Sequence, residues 1–482
     1  MSITSALNAA KSGLQITGLR ADVVATNVAN ASTPGFVRRA VNIGENLIGG
    51  QTAGVLSNGV SRSGSDVLTR ERLTLSSDLA QSNILSSAWQ SIRGQLGDSL
   101  DGTGLFQNFS DFETALSNAA ATPESSANLT ALFNAADGIA QEFNTLSRDL
   151  ASLRSETDRE IALGVDTVNQ ALAQVQELNT QIASTSPNTN KTAALQDERQ
   201  RQLNTIAEYL PIQTVPRDSG TIDIITKEGV FLLASDARTI EFSQSFAFGP
   251  DQTLDNGLLS GLTVDGTNIT PGASTFAAIS SGALGALFQL RDQDIPRFSD
   301  QLDTLANDLI TRLSDDSIDP ASTPGGAGLF VDPDTAAGVG SAGRISINAA
   351  VDPSAGGSLT RLRDGLEATG VGSPGNNTIL NNLLSATTSV QSINVNGLQG
   401  NFSAPELAAH LSSIVGQTSV NHEAVQSSTL AQHAALQEAE RSETGVDVDV
   451  QLQELLLVEQ AYAANARVIE VANQLLNRLL EI

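Results

Sequence analysis

Cysteine is absent from the 482 residues. That removes disulfides, thiol nucleophiles and zinc-thiolate sites together and leaves the redox compartment open. Lysine is nearly absent too, at positions 11, 191 and 227 only. Charged residues make up 16% of the chain, against about 25% in ordinary globular proteins. The solvated surface must therefore be mostly Ser, Thr, Asn and Gln. What charge there is leans one way, with 26 basic against 53 acidic residues and a formal net charge of −27. Such an excess repels polyanions, so neither nucleic acid nor an anionic membrane surface is expected as a partner. Long apolar runs are missing as well. Leu455-Leu456-Leu457-Val458 is typical of the longest, far below the about 20 residues that span a bilayer. The start, Met1-Ser2-Ile3-Thr4-Ser5-Ala6, has no basic stretch and no continuous apolar one, so no cleaved secretory signal is expected. Hydrophobic residues still reach 40%, so the chain is globular, with length for about three domains.

Catalytic patterns are equally scarce. Gly338-Val339-Gly340-Ser341-Ala342-Gly343 matches a dinucleotide fingerprint in letters, but a Pro/Asp/Gly loop precedes it and strand-like Arg344-Ile345-Ser346-Ile347 follows. The fingerprint needs a strand before and a helix after. The three histidines, His410, His422 and His433, lie in one late helical arm, and the last two are about three turns apart, too far to share one ion. Asp447 and Asp449 lack the glycine and bidentate glutamate of a calcium loop. No nucleophile elbow occurs. The expectation is a non-enzymatic protein with no catalytic residues, no cofactor and no metal.

What is present is periodicity. Ile3, Leu7, Ala10, Leu14, Thr17, Ala21, Val24 and Val28 alternate steps of four and three, a coiled-coil seam with an almost uncharged opposite face. Such a helix has nothing to bury its seam against until a partner arrives. At the other end, one stripe runs Leu455, Tyr462, Ile469, Leu476 and another Val458, Val468, Ala472, Leu475, Leu479. Together they make the last helix apolar over more than half its circumference, enough for two neighbours. Residues 1–42 carry net +3 (Lys11, Arg20, Arg38, Arg39 against Asp22), and residues 443–482 carry net −5 (two arginines against seven acids). These signs favour a pairing of the two ends.

Between them, Phe143, Leu146, Leu150, Leu153, Thr157, Ile161, Gly164, Val168, Ala171, Val175, Leu178 and Ile182 keep 3/4 spacing apart from a stutter at Thr157–Ile161. Shorter helices are expected near 73–100 and 193–210. The period then drops to two. Thr221–Thr226 and Val230–Leu233 read as a hairpin, and Asp265-Gly266 marks a second. Helix returns near 282–313, with Pro296 kinking or splitting it. A strand is expected over 344–351 and a continuous helical stretch over 376–441. The fold expected is α+β and multidomain: a long, coiled-coil-like helical rod built from the N- and C-terminal parts, with a β-rich domain inserted in the middle. Residues 1–70 form the N-terminal seam helix and turn segment and pair with the C-terminus. Residues 71–210 form the helical rod, 211–350 the β-rich insert, 351–441 a returning helical arm and 442–482 the C-terminal seam helix.

The first helix ends in Asn27-Val28-Ala29-Asn30-Ala31-Ser32-Thr33-Pro34-Gly35-Phe36. Asn30 is a helix stop, Thr33 before proline is pushed extended, and Pro34-Gly35 suits the centre of a type II turn with Gly35 at positive φ. Placed after a seam helix, this resembles the NxANxxTPG-aromatic signature of flagellar rod, hook and hook-associated proteins. Gln460-Ala461-Tyr462-Ala463-Ala464-Asn465-Ala466-Arg467-Val468-Ile469 is similar to the closing helix of the same superfamily. Phe36-Val37-Arg38-Arg39, the Leu105-Phe106…Phe112…Leu116 segment and Gly282–Asp292 with Ile295-Pro296 resemble the hook-associated protein 1 family. Phe36 departs from its commoner tyrosine, and Leu313-Ser314 from its usual Asn and His.

The resemblance implies a structural adaptor at the hook–filament junction of the bacterial flagellum. It implies hook protein on one side, a second hook-associated protein toward the filament, and self-association in a ring or short helical zone. It also implies an extracellular location, export through the flagellar type III apparatus without a cleaved signal, and an export chaperone on the C-terminal helix. The assembly interface would comprise Ile3, Leu7, Leu14, Val24, Val28, Leu455, Tyr462, Ile469 and Leu476, with Asn30, Thr33, Pro34, Gly35 and Phe36 as the turn motif. A hook or distal-rod protein is the nearest alternative, but the long helix over 143–182 and the 282–313 segment tell against it. A secreted acidic adhesin has no use for complementary terminal seams. An exported hydrolase would need a catalytic cluster that the sequence does not show.

Overall fold

A computed structural model describes residues 3–33, 35–48, 51–97, 103–245, 248–249, 252–254, 256–319, 322–334, 338–395 and 397–480. Helix α1 (Ile3–Ala29) is followed by a two-stranded antiparallel ribbon, β1 (Arg39–Ile48) and β2 (Gln51–Arg62). Four helices come next: α2 (Asp66–Leu96), α3 (Leu105–Ala121), α4 (Ser126–Ser184) and α5 (Asn190–Tyr209). Two small antiparallel sheets follow. One contains β3 (Ile212–Pro216), β4 (Ile222–Thr226) and β5 (Phe231–Leu233); the other contains β6 (Ile240–Glu241), β7 (Thr263–Val264) and β8 (Thr267–Asn268). Then come α6 (Gly282–Gln289), a π turn (Leu290–Asp294), α7 (Ile295–Arg312) and the short pair β9 (Phe330–Val331) and β10 (Ser346–Ile347). The chain closes through α8 (Arg361–Asp364), α9 (Thr378–Thr388), the hairpin β11 (Gln391–Val395) and β12 (Leu398–Phe402), α10 (Ala404–Thr444) and α11 (Val448–Leu480).

The 59 residues of α4 make it about 90 Å long. It begins where Ser125 Oγ accepts from the Asn128 amide at 3.3 Å. Of the twelve seam positions expected between Phe143 and Ile182, all but Leu153 are buried. The seam is covered by two different cores. Toward its start α4 packs with α3, α7 and the end of α2 in a core that α9 and α10 complete, around Phe109, Phe112, Phe143, Leu305, Leu309 and Leu411. Toward its end it packs with α5, α6 and the small sheets, around Ile161, Val168, Ile206, Ile224, Leu233 and Phe288. Each fully buried side chain of this size contributes about 1.5–3 kcal/mol.

The hairpins expected at 221–233 and around Asp265-Gly266 are present, the latter with φ of 49° and 76° at its two central residues. That double positive φ matches the right-handed twist of the strands. Three expectations change. The strand over 344–351 shrinks to Ser346–Ile347, because Ser341–Gly343 forms a 3₁₀ turn just before it and no further strand pairs alongside among the described residues. The helical stretch over 376–441 is interrupted by β11–β12, whose Asn396-Gly397 dipeptide is a hairpin signal of the same kind as Asp265-Gly266. The ribbon β1–β2 inside 1–70 was not anticipated; its two register shifts break the alternation that would have marked it.

Pro296 does not break its helix. It sits in the first turn of α7, where its missing N–H costs nothing, and the irregularity falls just before it as the π turn. That turn carries Arg291, fully buried between the two cores. Its guanidinium donates to Asp158 Oδ1 at 2.6 Å, to both carboxylate oxygens of Asp292 and to the Ser260 carbonyl at 2.9 Å. It also lies over the Phe288 ring, 4.5 Å from its centroid. Asp158 stands at the stutter of α4, so the node ties the middle of the rod to α6 and α7. Removing one partner of such a buried pair leaves an uncompensated charge. Asp158→Ala should therefore lower unfolding free energy in urea by about 3 kcal/mol or more, whereas Glu156→Ala, in an exposed pair on the same helix, should change it by less than about 1 kcal/mol.

Candidate assembly interface

Helices α1 and α11 lie side by side and antiparallel: Asn27 meets Gln451, Arg20 pairs with Glu454, and Gly13 faces Asn465. A Cβ on Gly13 would come within 2.7 Å of Asn465 Nδ2, so a larger residue would push the Asn465 side chain aside. The opposite net charges of the two ends are thus expressed in one bridging ion pair. On α1, Ala10, Thr17 and Val24 of the seam are buried, and Ile3, Leu7, Leu14 and Val28 are half-buried. On α11 the covered stripe is Gln451, Val458, Asn465 and Ala472, at seven-residue spacing; Val458 is 3% and Ala472 5% exposed.

That geometry leaves much of α11 bare. Leu455 (39%), Tyr462 (53%) and Leu476 (36%) are exposed on one flank of the covered stripe, with Ile469 half-buried among them. Leu457, Val468, Val471 and Leu475 are exposed on the other. The remaining face carries Gln453, Glu459, Gln460, Arg467, Asn473 and Gln474. A single helix partner covers one stripe of three.

The ribbon braces α1 from the other side. The Val55 amide donates to Ser12 Oγ at 3.1 Å, and Gly54 lies so close to Ala9 and Ser12 that a Cβ would overlap the serine hydroxyl. At the base, Asn27 is buried and three-way bonded. Its amide nitrogen donates to the Arg39 carbonyl at 2.9 Å and to Gln451 Oε1 at 2.8 Å, and its oxygen accepts from the Arg39 amide at 3.0 Å. One side chain thus joins α1, β1 and α11. Arg39 and Arg62 both donate to the buried Asp197 carboxylate of α5, at 3.0 and 2.7 Å, and Arg39 stacks over Phe36 at 4.9 Å. The Arg38 amide donates to the Thr444 carbonyl at 2.9 Å, so the chain entering the ribbon is stitched to the chain entering α11. Asp447 caps α11, accepting from the Asp449 and Val450 amides.

The turn motif behaves as its residues dictate. Asn30 Nδ2 donates to the Thr26 carbonyl at 2.9 Å, the Thr33 amide donates to the Asn30 carbonyl at 2.9 Å, and the Phe36 amide closes the turn on the Thr33 carbonyl at 3.2 Å. Gly35 takes φ 76°. Pro34 lies outside the described residues. Reading the turn alone missed Asn27, Arg39, Asp197 and Gln451, although Asn27 is the first asparagine of the same signature.

Elsewhere the suspected motifs are absorbed by packing. The glycine-rich loop at 338–343 points its Gly340 and Ala342 amides at the Asp303 carboxylate of α7, at 2.6 and 2.8 Å. Burial pushes that carboxyl above its ordinary value, and the two amides partly offset the rise. His410 stacks on Phe402, His422 on Trp89, and His433 bonds Ser76. Among the described residues no group of three or more His, Asp or Glu could hold a metal ion, and no helix is long and apolar enough to cross a membrane.

A family model described as the flagellar hook-associated protein FlgK helical domain matches residues 90–316, and one for flagella basal body rod protein matches 7–36. Flagellar hook-associated protein 1 of Bacillus subtilis (strain 168) is 21% identical over 98% of this chain and 97% of its own length. The chain is similar to hook-associated protein 1 along nearly its whole length, and its middle to the helical domain of that family. The protein of the same description from Escherichia coli (strain K12) is 25% identical over 63% of this chain, and the match spans only 55% of that relative. A solved flagellar hook junction protein FlgK from Burkholderia pseudomallei is similar over 55% of this chain and 46% of its own, with TM-score 0.44 and 16% identity. The rod-protein match covers α1 and the turn, and the helical-domain match covers the end of α2 through α7, where Arg291 and Asp158 lie.

Gly35 gives the sharpest local test. A Cβ there would touch Arg201 Cγ at 3.3 Å, and the backbone is left-handed. Gly35→Val should destabilise the α1 end by about 1–2 kcal/mol, read as faster exchange of the 27–36 amides. Gly35→Asn, which tolerates that conformation, should lose clearly less.

Proposed function

We propose that this chain is a structural adaptor of the bacterial flagellum that assembles at the hook–filament junction. The observation that carries the reading is α11, which covers a mixed stripe, Gln451, Val458, Asn465 and Ala472, with its own α1 and presents two apolar stripes to solvent. Ten large apolar side chains on α11, from Val450 to Leu476, are exposed among polar neighbours. A contiguous exposed apolar surface of this kind marks an interaction site. Two stripes on opposite flanks of one helix call for a neighbour on each side, which suits a repeating, head-to-tail assembly rather than a closed pair. Similarity to relatives described as hook-associated protein 1 supplies the setting.

On this reading the neighbours are further copies in a ring or short helical zone, hook protein below and a second hook-associated protein above. The interface comprises Ile3, Leu7, Leu14, Val24 and Val28 on α1 and Leu455, Tyr462, Ile469 and Leu476 on α11. Before assembly the bare flanks of α11 need cover, which is the task of an export chaperone. Delivery is through the flagellar type III channel to an extracellular site, and no catalytic step is involved.

Antibodies against the protein should label one narrow band at the hook–filament boundary; label along the hook or the rod would overturn the reading. Tyr462→Asp and Leu476→Asp alter exposed side chains, so they should leave the monomer Tm within a degree or two, about 0.5 kcal/mol. The same changes should stop incorporation and let filament subunits leak into the medium. Leu14 is half-buried against the terminal pair and makes a less clean test. Leu150→Asp, in the core of the rod, is the control and should unfold the body.

A further inference from the structure

Arginines gather at the base of the terminal pair, in a chain whose formal charge is −27. Between the turn, α2, α5 and the end of α10 lies an open groove of about 890 Å³. Phe36, Val37 and Val446 give it an apolar lining, and Arg62, Arg72 and Arg441 line it with charge. The acids beside it are already committed. Arg62 shares the Asp197 carboxylate with Arg39, and Arg72 pairs with Glu440. Arg199 donates to Asn179 Oδ1 and to the Gly220 carbonyl, both at 2.9 Å; burial, then the charge of Arg62, bring its pKa down to about 10. Arg441 is exposed and makes no ion pair among the described residues, although Glu438 lies one turn back on its helix. Glu443, two residues on, does not share its face. Asp447 at the rim is engaged as the cap of α11. The groove is short of anions.

Helix α11 has the opposite imbalance at one point. Glu454 pairs with Arg20, Glu470 has Arg467 three residues before it, and Asp449 lies in the first turn, where the helix dipole favours an acid. Glu459 is exposed and has no cation paired with it among the described residues. Leu455, Leu456 and Tyr462, three and four residues from it and therefore on its own face, are all exposed. The patch is a carboxylate framed by apolar side chains; the groove is an unpaired guanidinium beside apolar side chains. The two cannot meet within one molecule, because Glu459 stands about 18 Å up α11 from Asp447 at the rim.

We propose that this groove receives α11 of a second copy of the chain, with that copy's Glu459 on Arg441 and its Leu455, Leu456 and Tyr462 against Phe36, Val37 and Val446. The proposal rests on the reading of α11 as an assembly surface and says where one of its bare flanks goes. Helix and groove are different parts of the chain, so each copy offers a groove to one neighbour and a helix to another, and the contact repeats head to tail. Burial of the apolar side chains supplies the attraction. The charge pair fixes the register, because a helix slid along the groove leaves both Arg441 and Glu459 facing apolar surface. Gly35 lines the same groove, so its left-handed conformation shapes the docking surface as well as the local fold.

The test is a charge exchange in the full chain, read as the amount retained at the hook–filament junction in cells. Arg441→Glu and Glu459→Arg should each lower retention about tenfold or more, since like charges then face each other. Both should leave the monomer Tm unchanged, because neither side chain makes an ion pair at home. A chain carrying both changes re-forms the pair between copies and should regain retention. Proximity can be read directly, because the chain has no cysteine of its own. With Arg441→Cys and Glu459→Cys together, a short bis-maleimide should join assembled copies into a ladder of multiples and leave the dilute monomer at single-chain mass; either cysteine alone should give no ladder. Retention that survives Arg441→Glu while Tyr462→Asp abolishes it would overturn the groove and leave the role of α11 standing. Losses that the paired exchange does not restore, or a cross-link that stops at two copies, would also overturn it, the first by assigning Arg441 to another acidic partner and the second by closing the contact into a pair. Absence of the unaltered protein from the junction would instead sink the adaptor reading itself.

Discussion

A helix about 90 Å long is not stable on its own sequence; its apolar stripe has to be covered along its whole length. Most of this architecture follows from that constraint on α4. No single small core reaches so far, so two are built, one mostly of helices and one of helices and short strands. The strands can be short because they do not form an independent sheet domain; β3 to β8 contribute Ile212, Ile224, Leu233 and Val264 to a surface that α4 and α5 complete. Where the cores meet, the stripe becomes polar, with Arg154, Thr157 and Asp158 buried, and Arg291 enters from the π turn to neutralise and hydrogen-bond that gap.

The terminal pair obeys a different logic. Among the described residues the ties of the ends and their ribbon to the body include directional ones: the Arg39–Asp197–Arg62 bridge, the Val60 amide on the Asn188 carbonyl and the Arg38–Thr444 backbone bond. Hydrogen bonds and ion pairs of this kind fix an angle more than they add stability, which is appropriate for a part whose task is to present α11 at a set orientation. The turn signature gains a physical meaning here. Its glycine reverses the chain, and its first asparagine decides where the reversed chain lies against the two helices.

Much of this was legible from spacing alone. The long seam of α4, the terminal stripes, the Asp265-Gly266 turn and the positive φ of Gly35 all arise from local rules that hold whatever the tertiary setting. What escaped was set by partners distant in sequence. Spacing showed two apolar stripes on α11, but that α1 would cover only Val458 and Ala472 of the second, together with Gln451 and Asn465, depended on Gly13, Arg20 and Asn27 on the partner helix. The weak periodicity of 404–444 has a specific cause: its outer half meets α2 through Gln426, His433 and Glu440, invisible to any count of apolar residues. The ribbon at 39–62 was hidden by its two bulges, and the hairpin at 391–402 by the helical segments on either side.

The pairing of α1 with α11 also has a kinetic side. The contacts that join them bridge 424 residues between Asn27 and Gln451 and 434 between Arg20 and Glu454. Local elements such as α4 and its neighbours can form as soon as their own stretch of chain is free. The ends can join only after the last 33-residue helix has emerged, so the first helix must wait through nearly the whole length of the polypeptide. Loop closure of that size is entropically costly, and it places terminal pairing among the last steps of folding.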